Sequence, residues 1–477
     1  MKLTQLLHNV EVLAIHADEN TDISGIAFDS RKVQPGDLFM AVSGFATDGN
    51  RFIPTAVEKG ATVIVTAKAP EQSVPYVLVE NDRLAMAQIA ANFYGEPAKK
   101  LCMIGVTGTN GKTSVTLLVK HILETVRGVK VGLVGTMENL IGRESVPTER
   151  TTPESPDLQA LLARMVASGC TCCVMEVSSH ALALERVGGV HYDVAAFTNL
   201  TEDHLDFHKT MEAYCQAKAE LFRRCDKAVI NGDDPWHTQI CDMESTCVLT
   251  TGVKGQADLT AKDICLLSDR IRFTAEYAGK QVPVELPIPG RFTVYNTLTV
   301  LGICLQLGIS LEESAEALKT AKGVKGRVEV IPTLGKNYTI LIDYAHTPDG
   351  LENVLSSVRD FCTGRLIAVF GCGGDRDPVK RPIMGRIGAQ KADIAVITSD
   401  NPRTEDPHAI IADILRGVED QSNCVVIENR VEAIHYAMDI AEKDDIIVLA
   451  GKGHETYQEI MGVKNHLDER EVVAEYL

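Results

Sequence analysis

The strongest constraint on this chain is one junction. An apolar run at 101–106 passes directly into Thr107-Gly108-Thr109-Asn110-Gly111-Lys112-Thr113-Ser114, and residues 114–126 then carry apolar side chains at helical spacing. A strand that turns through glycines into a helix aims several backbone N–H groups at one point, and the helix N-terminus adds partial positive charge there. Such a point suits a phosphate. Gly108, Thr109, Asn110, Gly111, Lys112, Thr113 and Ser114 form the expected cradle, with the Lys112 ammonium reaching β- and γ-phosphates and the Thr113 hydroxyl suited to Mg²⁺. The usual loop has a glycine where this chain has Val106; Gly105 stands one residue further back. The guanine-reading Asn-Lys-x-Asp segment of a regulatory GTPase does not occur.

The same alternation continues. Residues 131–134 and 172–177 read as buried strands and 157–167 as a helix, which argues for a parallel sheet covered on both faces. Before it, residues 61–65 and 76–79 are short strand-like runs between Pro- and Gly-bearing turns. Beyond Gly326, three apolar runs each end in a polar loop: 366–370 before Gly371-Cys372-Gly373-Gly374, 394–398 before Asp400-Asn401-Pro402-Arg403, and 446–450 before Gly451-Lys452-Gly453-His454-Glu455. Ligands of open α/β sheets collect outside the carboxyl ends of strands, so these loops mark a second ligand edge. A chain of 477 residues holds about two to four domains. The expected organisation is α/β in three domains: 1–98, a central phosphate-loop parallel-sheet domain at 99–325, and a Rossmann-like domain at 326–477.

Composition removes other classes. The net charge of −18 disfavours non-specific nucleic-acid binding. The N-terminus lacks a signal-peptide pattern, and no apolar stretch reaches the roughly 18 residues needed to span a membrane. The 13 cysteines include no pair of CxxC knuckles, so reduced thiols in a cytoplasmic protein are expected rather than a zinc site. The Gly371–Gly374 loop is too short for a dinucleotide fingerprint.

Chemistry-bearing residues gather in the central section. Glu176 ends a strand expected beside the phosphate strand and suits Mg²⁺. His204 and His208 stand four apart, but no Glu follows His204 as in the HExxH zinc motif. Lys218 sits among small and apolar residues after Tyr214.

In this order, GTNGKT at 108–113, Glu-Val-Ser-Ser-His at 176–180, Asp-His-Leu-Asp at 203–206, Tyr214 with Lys218, Asp-Tyr-Ala-His-Thr-Pro at 343–348 and the three C-terminal loops closely resemble the Mur ligase family, in its MurE-type branch, over essentially the whole chain. The resemblance implies an ATP-dependent amide-bond ligase of peptidoglycan synthesis, with an N-terminal domain that binds UDP. It implies ATP contacts from the 108–114 loop, Asn296, Arg327, Asp343 and His346. Thr113 and Glu176 are implied to hold one Mg²⁺ and His204 to help hold a second, with Lys218 carbamylated by CO₂ as a further metal-orienting anion. Lys112, Lys218, Glu176 and His204 are thus the expected catalytic set. The UDP-muramoyl dipeptide is implied to meet Ser30, the segment after Ser43-Gly44, Thr151, Thr152, Ser178 and Arg186. Three departures from the family pattern stand out: Phe292-Thr293 for Phe-Asn, Lys325-Gly326-Arg327 for Pro-Gly-Arg, and Leu184 where some relatives have Gln.

For the added amino acid, the resemblance points to Asp400, Asn401, Pro402 and Arg403 together with Arg376, Gly451 and Glu455. An Arg at 403 accompanies meso-diaminopimelate, whose second carboxylate a guanidinium clamps with two parallel hydrogen bonds. Glu455 is expected to face the distal ammonium. A lysine-adding ligase of the same family is the alternative; a folate-directed ligase and a nucleotide-switched binding protein stand further off. The implied mechanism passes through an acyl phosphate, in a protein expected to be monomeric and to hinge near 324–328.

Overall fold

β-branched and apolar runs bounded by glycine and proline set the strands of the protein. Its structure, a computed structural model, describes residues 1–44, 48–241 and 247–477. Two compact units share the chain: 1–260 with 296–314, and 261–295 with 315–477.

In the first unit, β1 (Val12–His16), β2 (Gly25–Ala27), β3 (Asp37–Ala41), β4 (Val63–Thr66) and β5 (Tyr76–Val79) form a sheet in the order β1-β5-β4-β3-β2. It is parallel except at β1. Every residue of β3 is buried, as a central parallel strand requires.

A second sheet carries the phosphate loop. Its strands are β6 (Cys102–Thr107), β7 (Val131–Val134), β8 (Asn139–Ile141), β9 (Glu144–Val146), β10 (Cys172–Glu176), β11 (Tyr192–Phe197), β12 (Cys225–Asn231) and β13 (Val248–Gly252), in the order β13-β12-β11-β6-β10-β7-β8-β9. The run from β13 to β7 is parallel, and β8 and β9 add antiparallel edges. β6 lies between β10 and β11, in a register that sets Glu176 beside Val106 and Phe197 beside Thr107. The loops after β6, β10 and β11 therefore leave the sheet at one edge. β14 (Leu259–Leu266) begins in this unit, where Leu259 and Thr260 pair with β13.

The helices start earlier than apolar spacing indicates. Lys112–Arg127 begins two residues before the expected 114, because Lys112 and Thr113 form a polar first turn without core-facing periodicity. Ser155–Ala167 likewise starts before 157, with Pro156 in its first turn, where a missing N–H costs nothing.

The second unit holds the hairpin of β15 (Ile271–Tyr277) and β16 (Lys280–Leu286). Its main sheet joins β17 (Glu329–Ile331), β18 (Thr339–Asp343), β19 (Leu366–Phe370), β20 (Ile394–Ile397), β21 (Cys424–Val426) and β22 (Ile446–Ala450) in the order β17-β18-β22-β19-β20-β21. Only β17 is antiparallel. The loops after β18, β19, β20 and β22 consequently share one edge, as the sequence pattern predicts. β23 (Tyr457–Ile460) and β24 (Val463–His466) form a separate hairpin. Beneath that edge Arg430, fully buried, pairs with Glu469 at 2.8 Å and donates to the Ala450 carbonyl at 2.9 Å, fixing the end of β22.

Among the described residues, no helix is long and apolar enough to cross a membrane. The twelve cysteines whose side chains are described are free thiols.

Candidate active site

Two glycines make the phosphate loop possible. Gly108 and Gly111 adopt φ of +150° and +87°. A Cβ on Gly108 would lie 1.9 Å from the Thr198 hydroxyl, and one on Gly111 would lie 2.3 Å from the Asn296 side-chain oxygen. The loop is thus clasped by Thr198 on one side and Asn296 on the other. Thr198 Oγ1 donates to the Asn110 carbonyl at 2.6 Å, and the Asn110 N–H donates to Asn199 Oδ1 at 3.0 Å. Lys112 Nζ curls back onto the Gly108 and Thr109 carbonyls at 2.8 and 2.9 Å, and Ser114 follows in the first helical turn.

Glu176 is buried at the end of β10 and is held by three donors. Thr113 Oγ1 donates to its Oε1 at 3.0 Å, the Thr136 N–H to Oε1 at 2.9 Å, and Thr136 Oγ1 to Oε2 at 3.0 Å. Thr136 Oγ1 also meets Thr151 Oγ1 at 3.0 Å; since it donates to the carboxylate, Thr151 supplies the proton of that bond. Thr152 Oγ1 donates to the Glu176 carbonyl at 2.8 Å and accepts the Ser178 N–H at 3.1 Å; Arg186 donates to the Thr152 carbonyl at 3.3 Å. The expected peptide-binding residues thus abut the expected metal carboxylate.

Lys218 projects from the helix Met211–Ala219 and is 1% exposed. Its Nζ donates to the Gly108 carbonyl at 2.9 Å and lies 4.5 Å from the Tyr214 ring centre. Burial, and next the charge of Lys112, hold this amine well below the usual lysine range. Tyr214 OH pairs with Thr109 Oγ1 at 3.2 Å. The His204 ring stands 6.2 Å from that of Tyr214 and 4.9 Å from that of His180. His208 shares both ring neighbours, at 5.5 Å from His180 and 5.0 Å from Tyr214, and also bonds Ser179 Oγ at 2.9 Å; burial lowers its pKa to about 4.

The donor chemistry fits a hard cation. Thr113 and Glu176 offer oxygens, and among the described residues no three His, Cys, Asp or Glu side chains converge to hold a metal ion by themselves. A divalent cation here would complete its shell with nucleotide phosphate oxygens. Ser30 sits apart, buried beside the more exposed Asp29–Arg31 ion pair, whose hydrogen bonds lower the Asp29 carboxyl to about 2. The segment expected after Ser43-Gly44 falls at 45–47, outside the described residues.

The second unit gathers the remaining candidates along its loop edge. The Asp343 carboxylate accepts the Val328 and Ala345 N–H groups at 2.8 and 2.9 Å and fastens its own loop. His346 and Arg327 flank Tyr344, at 4.6 Å between ring centres and 5.8 Å from guanidinium to ring. After β20, Asp400 and Asn401 are buried and Pro402 leads to Arg403, whose φ is +52°. Arg403 donates to the Gly374 carbonyl at 2.7 Å and pairs with Glu459 at 3.3 Å. A Cβ on Gly373 would meet the Arg403 guanidinium at 3.0 Å and the aliphatic Cγ of Arg376 at 3.9 Å, so the Arg403 guanidinium lies over that glycine and the stem of Arg376 passes beside it. Glu455 accepts from Asn401 Nδ2 at 3.0 Å. Gly451, at φ +119°, leaves room for Asp400 Oδ2, which a Cβ would approach to 2.8 Å.

Sequence reasoning missed Thr136, Thr198, Asn199 and Lys452. Lys452 is fully buried, with Nζ 3.1 Å from Asn401 Oδ1 and 3.6 Å from Glu455. Its setting between two glycines after an apolar strand was the available signal. Thr136 had none, because only the sheet order brings the end of β7 beside β10.

Replacing Thr136 with Val removes a hydroxyl that orients the Glu176 carboxylate, the expected metal ligand. The half-saturating Mg²⁺ concentration for ATP turnover is expected to rise about 10- to 100-fold. An unchanged Mg²⁺ titration would show that Thr136 does not act on the metal.

Such a site, with a phosphate loop and a tethered carboxylate at one edge of a parallel sheet and a lysine buried from a helix beside them, is that of a nucleotide-dependent ligase. Family models match the chain in order: "Mur ligase family, catalytic domain" at 22–94, "Mur ligase middle domain" at 106–304 and "Mur ligase, glutamate ligase domain" at 326–453. The chain belongs to the Mur ligase family. It is 47% identical over 484 residues to the UDP-N-acetylmuramoyl-L-alanyl-D-glutamate--2,6-diaminopimelate ligase of Clostridium tetani, covering 100% of the chain and 99% of the relative. It is 48% identical over 481 residues, with the same coverage, to the Clostridium acetobutylicum ligase numbered 1 of that name. A solved structure of a ligase with the same name superposes with a TM-score of 0.79 at 32% identity, covering 100% of this chain and 98% of that one.

Proposed function

We propose that the protein joins meso-diaminopimelate to UDP-N-acetylmuramoyl-L-alanyl-D-glutamate in peptidoglycan synthesis, converting ATP to ADP and phosphate. The observation that carries this reading is the pairing of charges on the second unit's loop edge. The Arg403 guanidinium lies over Gly373, with the Arg376 stem beside it, and Asn401 and Glu455 stand hydrogen-bonded after the neighbouring strands. A guanidinium for a carboxylate and a carboxylate for an ammonium match the distal end of a diamino diacid.

In this reading, the loop N–H groups and Lys112 hold the ATP phosphates while Thr151, Thr152, Ser178 and Arg186 hold the dipeptide. The dipeptide's free carboxylate attacks the γ-phosphorus and ADP leaves. The neutral α-amine of the diamino acid then attacks the acyl carbon, and phosphate leaves as the amide forms. Bound Mg²⁺ would offset the repulsion between the carboxylate and the phosphates. Lys218 contributes a neutral amine in a dry pocket, which adds CO₂ and loses a proton to become an anionic, oxygen-bearing group. Substrates of this kind place the work in the cytoplasm.

The test supplies ATP, Mg²⁺ and the UDP-dipeptide with either diaminopimelate or lysine, and follows phosphate release and product mass. The expected product is the diaminopimelate-bearing tripeptide, with kcat/KM for lysine at least about 100-fold lower. A preference for lysine would overturn the specificity, and phosphate release indifferent to the amino acid would overturn the ligase.

A further inference from the structure

Beside the dipeptide residues, three guanidiniums share one carboxylate. Glu154, whose side chain is 11% exposed, lies 2.6 Å from Arg150, 3.0 Å from Arg186 and 3.5 Å from Arg83. The Arg83 and Arg186 side chains are 19% and 13% exposed, that of Arg150 51%. Glu154 immediately precedes the helix Ser155–Ala167, yet its side chain makes no capping hydrogen bond; it faces the arginines instead. Arg83 also donates to the Leu184 carbonyl at 3.5 Å, at a position that offers no polar side chain of its own. Other charges bear on the neighbourhood: Lys32 and Glu149 act on Asp157, which lies in the first turn of the same helix.

One carboxylate does not balance three partly desolvated cations, and close like charges oppose one another. Burial lowers the Arg186 pKa, and Arg150 and Arg83 push it further in that direction. Guanidinium clusters of this kind suit a phosphate or carboxylate, which they bind through parallel hydrogen bonds. The cluster also abuts the reaction site: Arg186 donates to the carbonyl of Thr152, whose hydroxyl donates to the carbonyl of Glu176.

We infer that Arg83 and Arg150 extend Arg186 into an anion subsite for a non-reacting anionic group of the UDP-muramoyl dipeptide, its diphosphate or its second carboxylate. The inference rests on the proposed substrate. Glu154 holds the three side chains together until that anion arrives, so it is a positioning residue, and its removal leaves the site more basic.

Calorimetric titration of the UDP-dipeptide into the full-length protein at several salt concentrations tests this. Arg83→Met and Arg150→Met are each expected to weaken binding about tenfold and to flatten the salt dependence, with Arg83→Lys falling between Met and wild type. Glu154→Gln is expected to bind at least as tightly as wild type, an outcome that a merely structural ion-pair cluster would not give. With UDP alone as the probe, a loss in Arg83→Met equal to that for the whole substrate assigns the diphosphate. No loss with UDP assigns the carboxylate. Wild-type affinity in both arginine variants, or equal weakening by Arg83→Met and Glu154→Gln, would overturn the subsite alone. Failure of the wild-type protein to bind the UDP-dipeptide would overturn the proposed function and this inference with it.

Discussion

Replacing Lys218 with Met is expected to lower the ligase rate about 10²- to 10³-fold, the scale for losing one preorganised charged group from a dry active site. Methionine keeps most of the buried volume, so the fold should survive. Lys218 is 1% exposed and donates to the Gly108 carbonyl, inside the phosphate loop itself. A permanent ammonium there would add to Lys112 and demand a counter-charge that the described residues do not place within bonding distance of it. Burial instead favours the neutral amine, the form that adds CO₂. The sign follows: because this amine's pKa is depressed, its neutral fraction persists to lower pH than an ordinary lysine's, and activity should persist with it. Wild-type enzyme in CO₂-depleted buffer should slow and recover on adding bicarbonate, whereas Lys218→Met should ignore bicarbonate. Full activity in Lys218→Met would remove the lysine from the mechanism.

Arg403→Met should lower kcat/KM for diaminopimelate about 10²- to 10³-fold, the cost of leaving a bound carboxylate without its charged partner. Turnover of lysine, which has no such carboxylate, should not fall. The backbone at 403 is fixed by hydrogen bonds with Glu459 and Met461, while the guanidinium holds the Gly374 carbonyl and Glu459. A substrate carboxylate therefore competes with Glu459 for a side chain already positioned. Arg403→Lys, with its charge but without the planar fork, should fall between wild type and Met. Equal losses for both amino acids would mean that Arg403 supports the loop rather than reads the substrate.

Much of this arrangement was legible in the chain. The strand–glycine–helix junction at 101–126 specified β6, the loop and the helix after it, and the register of β10 beside β6 puts Glu176 where a strand-end carboxylate was expected. The three polar loops beyond Gly326 lie on one sheet edge because apolar runs alternating with helices force parallel strands. What escaped was set by tertiary packing. Thr136 meets Glu176 only through strand order. Arg83 and Glu154 belong to different sheets' helices and pair only once those helices pack. Lys452 stands in a polar loop, and only the fold buries it against Asn401 and Glu455.

The most direct measurement follows oxygen. The UDP-dipeptide is labelled with ¹⁸O in both oxygens of the reacting carboxylate and incubated with the enzyme, ATP, Mg²⁺ and diaminopimelate. An acyl phosphate formed beside the 108–113 loop predicts one ¹⁸O in each released phosphate and one retained in the new amide. Released phosphate free of label, with the amide formed, would contradict the proposed chemistry.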